Sequence, residues 1–253
     1  ATIGLALGWP GTEMPYSTSV PITRLTLMLR AYAGAVARPG RRLWAMSMWE
    51  ERVLPHLVDR ALATAPVQRL RAATCEGLAG RVLEIGFGSG LNLEHLPAEV
   101  VSLDAVEPSD LGWSLSEARR RESPVPVRRV GLDGQRLDAP DAAYDAVLCT
   151  FSLCTIPDAE LAAREVHRVL RPGGRMHLLE HGVSPDDRVR AWQHRLEPVQ
   201  RRVAGGCHLT RDPLRLVTDA GLRVEDSEQR YLPGPAVGRP WSYGYRAVAT
   251  RPA

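Results

Sequence analysis

The stretch from Val82 to Asn92, VLEIGFGSGLN, carries glycine at 86, 88 and 90 directly after an apolar run that holds one acid, Glu84. Glycines at that spacing let a backbone take positive φ and approach a ligand closely. An acid within an apolar run is costly unless it meets a donor or a cation. The spacing fits a dinucleotide grip poorly, because the third small position of G-x-G-x-x-G would be Leu91; it suits a loop wrapping a smaller ligand. Glu107 ends a second apolar run and is followed by Pro108. A carboxylate there can accept two hydrogen bonds from a ribose diol. His181 ends a third run, MHLLEH, and histidine is suited to accepting a proton near neutral pH. A structural histidine bonded to a loop is the competing reading of the same residue.

The elements that must hold these residues follow from the rhythm of the chain. From Gly80 onward, short apolar strands alternate with helices: RVLEI (81–85), VVSLDAVE (100–107), VPVRRV (125–130), YDAVLCTFSL (144–153) and RMHLLEH (175–181) read as strands. LNLEHL starts a helix, SDLGWSLSEARRR (109–121) is a helix capped by Ser109 or Asp110, and DAELAAREVHRVLR (158–171) is a helix stopped by Pro172-Gly173-Gly174. Two more helices and two late strands, LRVEDSEQRYL and YGYRAVAT, complete the chain, and the second strand can insert antiparallel beside its neighbours. This alternation predicts an α/β sandwich with a mainly parallel, seven-stranded sheet. Residues 22–62 read as helical, broken at Pro39-Gly40, so residues 1–79 are expected to form an N-terminal helical cap and 80–253 the ligand-binding domain. Trp44, Met46, Met48 and Trp49 either wall a substrate pocket or simply pack in the core.

The acid-apolar-Gly-x-Gly-x-Gly pattern resembles the first motif of the Rossmann-like S-adenosylmethionine-dependent methyltransferases. The resemblance implies that Gly86, Phe87, Gly88, Gly90 and Asn92 form the loop around the aminoacyl part of S-adenosyl-L-methionine, and that Glu84 faces its amino group. It also implies that Glu107 and Pro108 meet the ribose. GLDGQRLDAPDAAYD resembles the family's adenine segment, with Asp133 accepting from the exocyclic amine and Gly134 offering its N–H. Thr150 and Phe151 would stand at the methionine end. LCTFSLCTIPD (148–158), LEH (179–181), WQHRLEP (192–198), GGCHLTR (205–211) and YLPGPAVG (231–238) are similar to segments of the methyltransferase-like thiol S-methyltransferases.

That resemblance implies methyl transfer to a small-molecule thiol, with oxygen or nitrogen on a small metabolite or lipid head group as the alternative acceptor. His181 and His208 are the expected proton-handling residues; Trp49, Glu180 and Arg211 the expected substrate contacts. A cofactor-binding protein without catalysis and an RNA methyltransferase are rival readings. The basic stretch RRRESPVPVRR lacks the interleaved aromatics of a nucleic-acid platform, so no nucleic-acid partner is expected. The net charge of +3, carried by a chain with arginine but no lysine, demands no particular partner. The four cysteines, Cys75, Cys149, Cys154 and Cys207, form no CxxC pair; no metal is expected, and Cys154 and Cys207 read as small packing residues. No run of eighteen apolar residues appears, so no stable membrane insertion is expected, and reduced cysteines suit a cytoplasmic protein.

Overall fold

The computed structural model describes Trp49, residues 51–232 and residues 234–253. The part of the cap expectation that rests on Trp44, Met46 and Met48 lies outside these residues. Seven strands form one sheet in the order β3-β2-β1-β4-β5-β7-β6. They are β1 (Gly80–Ile85), β2 (Val100–Val106), β3 (Val127–Gly131), β4 (Tyr144–Thr150), β5 (Leu170–His181), β6 (Arg223–Tyr231) and β7 (Tyr243–Thr250). The first five pair in parallel; β7 inserts antiparallel between β5 and β6. The expected α/β class, strand number and antiparallel insertion are those observed.

Burial on both faces explains why the central strands read as continuous apolar runs. Adjacent residues of β1 point to opposite sides: Val82 joins one core with Leu103, Ala105 and Leu148, while Leu83 joins the other with Val147, Met176 and Leu178. Each such aliphatic side chain contributes about 1.5–3 kcal/mol on burial. Helix α1 (Leu54–Leu62) and helix α2 (Ala65–Cys75) precede the sheet. The inward stripe of α2 is Val67, Leu70, Arg71, Thr74 and Cys75, so an arginine occupies an apolar helix face.

Three boundaries differ from the sequence expectation. LNLEHL forms only a 3-10 turn, Leu93–His95, because Asn92 turns its side chain inward and Pro97 follows closely. The segment 109–121 splits at Ser116 into α3 (Asp110–Leu115) and α4 (Glu117–Glu122); Ser109 caps α3 by accepting from the Gly112 N–H. Helix α5 (Ala159–Val169) stops before Leu170, which already pairs with Tyr144, so β5 begins well ahead of Arg175. Proline at 172 biases Arg171 toward extended backbone, which favours the strand over a last helical turn. Helices α6 (Asp187–Val203), α7 (Pro213–Asp219) and α8 (Arg239–Ser242) complete the described elements.

Candidate functional site

Strand order reverses between β1 and β4, and open α/β sheets bind ligands at the carboxyl ends of strands beside such a reversal. A cavity of about 1130 Å³ lies there. Its wall takes Gly86, Phe87 and Gly88 from the loop after β1, Glu107 and Pro108 from the end of β2, and Asp133 and Gly134 from the loop after β3. Thr150 and Phe151 come from the end of β4, His181 from the end of β5, and Leu54, Val58 and Leu62 from α1.

The glycines of the first loop serve different ends. Gly86 has φ 73°, and a Cβ there would lie 1.8 Å from Ser152 Oγ, so the position admits only glycine beside the β4 turn. Gly88 has φ 57°, and a Cβ there would meet nothing within 4 Å, so its empty side is space bordering the cavity. Gly90 does not border the cavity; it packs close to Phe87, Leu93 and Ser116.

Glu84 also stands behind the wall. It is 1% exposed, and its Oε1 accepts from Asn92 Nδ2 at 2.7 Å while Oε2 has no partner among the described residues. Arg71 of α2, which does line the cavity, donates from Nη1 to Asn92 Oδ1 and to Thr150 Oγ1, each at 2.8 Å. Burial lifts the Glu84 pKa to about 8, against the opposing pull of the Asn92 hydrogen bond and the Arg71 charge. Burial likewise lowers the Arg71 pKa. An acid behind the wall and a guanidinium on it thus share Asn92 at one side of the cavity. Sequence reasoning missed Arg71, although its place on the apolar stripe of α2 was a readable signal.

Glu107 is 5% exposed and organises two loops: Oε2 accepts the Gly88 N–H at 2.6 Å, and Oε1 accepts the Ser109 N–H at 2.7 Å. Burial raises its pKa while those two bonds oppose the rise. Asp133 is exposed and accepts from the Gln135 N–H and Gln135 Nε2. Phe151 has φ 54°, a left-handed backbone costing about 1–3 kcal/mol for a non-glycine residue. Its N–H donates to Leu179 O at 2.7 Å, and the Arg71 guanidinium lies 5.5 Å from its ring centroid.

The remaining expected residues divide. His181 borders the cavity, with Nε2 2.9 Å from Cys207 Sγ and Nδ1 buried without a partner among the described residues. Cys154 and Cys207 border the cavity beside it. The hydrogen bond with Cys154 and burial push the Cys207 thiol up, against the opposing pull of His181. Glu180 is fully buried and does not border the cavity. Its Oε1 accepts from the Ser152 and Leu153 N–H groups at 2.8 and 2.9 Å, which fixes the strained turn after Phe151. Arg211 also turns away, donating to the carbonyls of Leu153, Ile156 and Pro157. His208 Nδ1 lies 2.6 Å from Glu197 Oε1, and Trp49 Nε1 donates to Val203 O; neither residue borders the cavity. Around this cavity, Glu180, Arg211 and His208 position loops, whereas His181 and the two cysteines line it.

Among the described residues no helix is long and apolar enough to cross a membrane. The model of the family described as "Methyltransferase domain" matches residues 83–178. Thiol S-methyltransferase TMT1B of Mus musculus is 34% identical over 176 residues, 64% of this chain and 71% of that protein. The Rattus norvegicus protein of the same name is 32% identical over 137 residues, 52% of this chain and 55% of its own length. The chain therefore spans between about half and somewhat over two-thirds of the length of these curated relatives. In fold, it is similar to an S-adenosylmethionine dependent methyltransferase from Mesorhizobium loti, with TM-score 0.55 and 19% identity over 75% of this chain and 99% of that one.

Proposed function

Because the chain belongs to the Rossmann-like S-adenosylmethionine-dependent methyltransferases, we propose that it methylates the sulfur of a small-molecule thiol. The cofactor is S-adenosylmethionine. The described residues fit it. The space beside Gly88 admits a ligand against the backbone, Glu107 and Asp133 offer carboxylate oxygens along the wall, and Glu84 keeps one buried oxygen unpaired. Gly86, Gly88, Glu107, Pro108, Asp133, Gly134, Thr150 and Phe151 are the residues that would hold it directly; Glu84, Asn92 and Gly90 would act from behind them. When bound, the cofactor supplies an electrophilic methyl group on a sulfonium, which departs as a neutral thioether.

The chain's own residues then have three tasks: aligning the acceptor with that methyl, excluding water, and managing the acceptor's proton. A free thiol has a pKa near about 8.5, so only a small fraction is thiolate at neutral pH. The observation that carries the thiol reading is the wall formed by His181, Cys154 and Cys207 on the cavity that Glu107 and Asp133 also line. It offers a proton acceptor and polarisable sulfur. The similarity to proteins named thiol S-methyltransferases supports the same acceptor. We also read the chain as an N-terminal helical cap, residues 1–79, and a cofactor-binding domain, residues 80–253; for the described part of the first, the α1 side chains Leu54, Val58 and Leu62 on the cavity wall support that reading.

Turnover of methyl-labelled cofactor against a panel of thiols, matching alcohols, phenols and amines tests the proposal. Thiols should be methylated and their alcohols not. A phenol, an amine or a lipid head group that turns over faster than every thiol overturns the acceptor, and binding of the cofactor without turnover on any of them overturns the activity.

A further inference from the structure

Three residues far apart in sequence converge on one side of the cavity. One ligand atom each from Cys154, His181 and Cys207 lies within 4.8 Å of the other two. We propose that these residues form a three-ligand site for a thiophilic divalent cation, zinc by its chemistry, whose fourth position faces the cavity and takes the acceptor sulfur. The role given to that fourth position rests on the thiol reading above; the site itself does not.

The donor set is the first argument. Two thiolates and one imidazole suit zinc, whereas magnesium and calcium favour oxygen donors. Two cysteines and one histidine with an open fourth position is a pattern of catalytic zinc; structural sites close all four. Bond lengths of about 2.3 Å to sulfur and 2.0–2.1 Å to nitrogen put tetrahedral ligand atoms about 3.5–3.8 Å apart. To reach this, the 2.9 Å contact of His181 Nε2 with Cys207 Sγ must open by about 0.6 Å, and any pair standing at the 4.8 Å limit of the group must close by about 1 Å.

The second argument is the framework. The His208 N–H donates to Cys154 O at 2.8 Å, which ties the two cysteine loops together. Arg211 clamps the Cys154 turn through the carbonyls of Leu153, Ile156 and Pro157, and Glu180 holds the Ser152 and Leu153 amides. Glu197 fixes the loop after Cys207 by accepting from the Leu209 and Thr210 N–H groups and pairing with His208. Backbone bonds of this kind hold the ligands in place around a site. The third argument is that His181 Nε2, the nitrogen on the side of the cysteines, meets only a sulfur among the described residues, Cys207 Sγ at 2.9 Å, a weak partner for a half-buried imidazole.

A cation here answers the problem of the acceptor's proton. On coordination the acceptor thiol gives its proton to water and remains as thiolate. Its sulfur lone pair forms the new bond to the methyl carbon while the sulfonium–methyl bond breaks, and that electron pair stays on the cofactor sulfur. The thioether product is a weaker ligand than the thiolate and can leave.

Cobalt(II) titration of the reduced, chelator-stripped full chain tests the site without reference to turnover. One equivalent should bind with sulfur-to-cobalt charge-transfer absorption and tetrahedral d–d bands. Cys154→Ser, Cys207→Ser and His181→Ala should each weaken binding by at least about 10–100-fold, the range that even outer-shell changes produce. Cys75→Ser, a buried cysteine elsewhere, should leave it unchanged. Calorimetric binding of the demethylated cofactor reports that each variant is folded. A small aryl thiol should strengthen the charge-transfer band. Absence of that band, its persistence in folded Cys207→Ser, or a Cys154–Cys207 disulfide that survives reductant overturns the site; a band indifferent to added thiol overturns the fourth-position role. Cobalt bound on these residues with no thiol methylated removes the acceptor reading and keeps the site, whereas metal-independent thiol methylation does the reverse.

Discussion

Glu107 holds Gly88: the carboxylate at the end of β2 accepts the amide of the loop after β1 at 2.6 Å. One side chain therefore both borders the cavity and shapes its neighbouring wall. Glu107→Ala should weaken cofactor binding by about 1.5–3 kcal/mol for each charge-assisted bond lost to the ligand, or about tenfold to a hundredfold. Glu107→Gln should lose less, since the amide oxygen can still accept from Gly88. Isothermal calorimetry with S-adenosylmethionine decides it, and equal affinity in wild type and both variants contradicts the role.

Gly86 and Gly88 should separate stability from binding. Gly86→Val forces a side chain into Ser152 at a left-handed position and should prevent stable folding. Gly88→Val meets no neighbour, so it should cost only the left-handed strain, about 1–2 kcal/mol, while filling space the cofactor needs. Thermal denaturation paired with cofactor titration checks both: a folded Gly88→Val protein that binds normally refutes the cavity assignment.

Glu84 gives the ligand-free protein a pH dependence of definite sign. Its folded pKa is raised from the usual 4.5 to about 8 by burial. Between those values the folded chain keeps a proton that the unfolded chain has lost. This contribution to stability is therefore complete below the unfolded pKa and declines as pH rises toward about 8. Glu84→Gln, which can still accept from Asn92, should lack that decline. Urea denaturation of both proteins from pH 5 to about 8.5 should show the variant gaining on wild type; parallel curves would show that Glu84 does not titrate this way.

Arg211→Ala should act on stability. Hydrogen bonds from a charged donor contribute about 1.5–3 kcal/mol each, and three carbonyls of the 153–157 turn lose one. A fall of at least about 2 kcal/mol in unfolding free energy is expected. The pH profile of kcat should keep its midpoint, because Arg211 does not border the cavity. A shifted midpoint with unchanged stability would instead make it a substrate-facing cation.

What the sequence made legible was whatever periodicity or local chemistry carries. Apolar runs ending at Ile85, Val106 and Thr150 marked strands, and glycine spacing marked the ligand loop between them. The helix expected at LNLEHL failed because Asn92 serves Glu84 and Thr150, a tertiary demand that local propensity does not contain. Glu180, near a strand end, and Arg211, in the GGCHLTR loop, read as substrate contacts since charge is visible in sequence, while its direction is not. Both are spent on backbone groups of the turn after β4. The grouping of Cys154, His181 and Cys207 has no local spacing signature, because the three residues lie in the turn after β4, at the end of β5 and in the loop after α6, and only the folded chain brings them together.

Strand β6 closes one margin of the sheet with Arg223, Glu225, Asp226 and Arg230 exposed to water and with Arg246 of β7 paired to Asp226 and Glu228. A foreign strand seeking the free backbone groups there would have to strip hydration from charges of both signs before gaining any ladder bond. Edge strands built this way resist indiscriminate pairing. The antiparallel insertion of β7 thus leaves this outermost position to a strand whose charges resist recruiting a neighbour, which protects the chain from aggregating through that margin while its slower parallel core assembles.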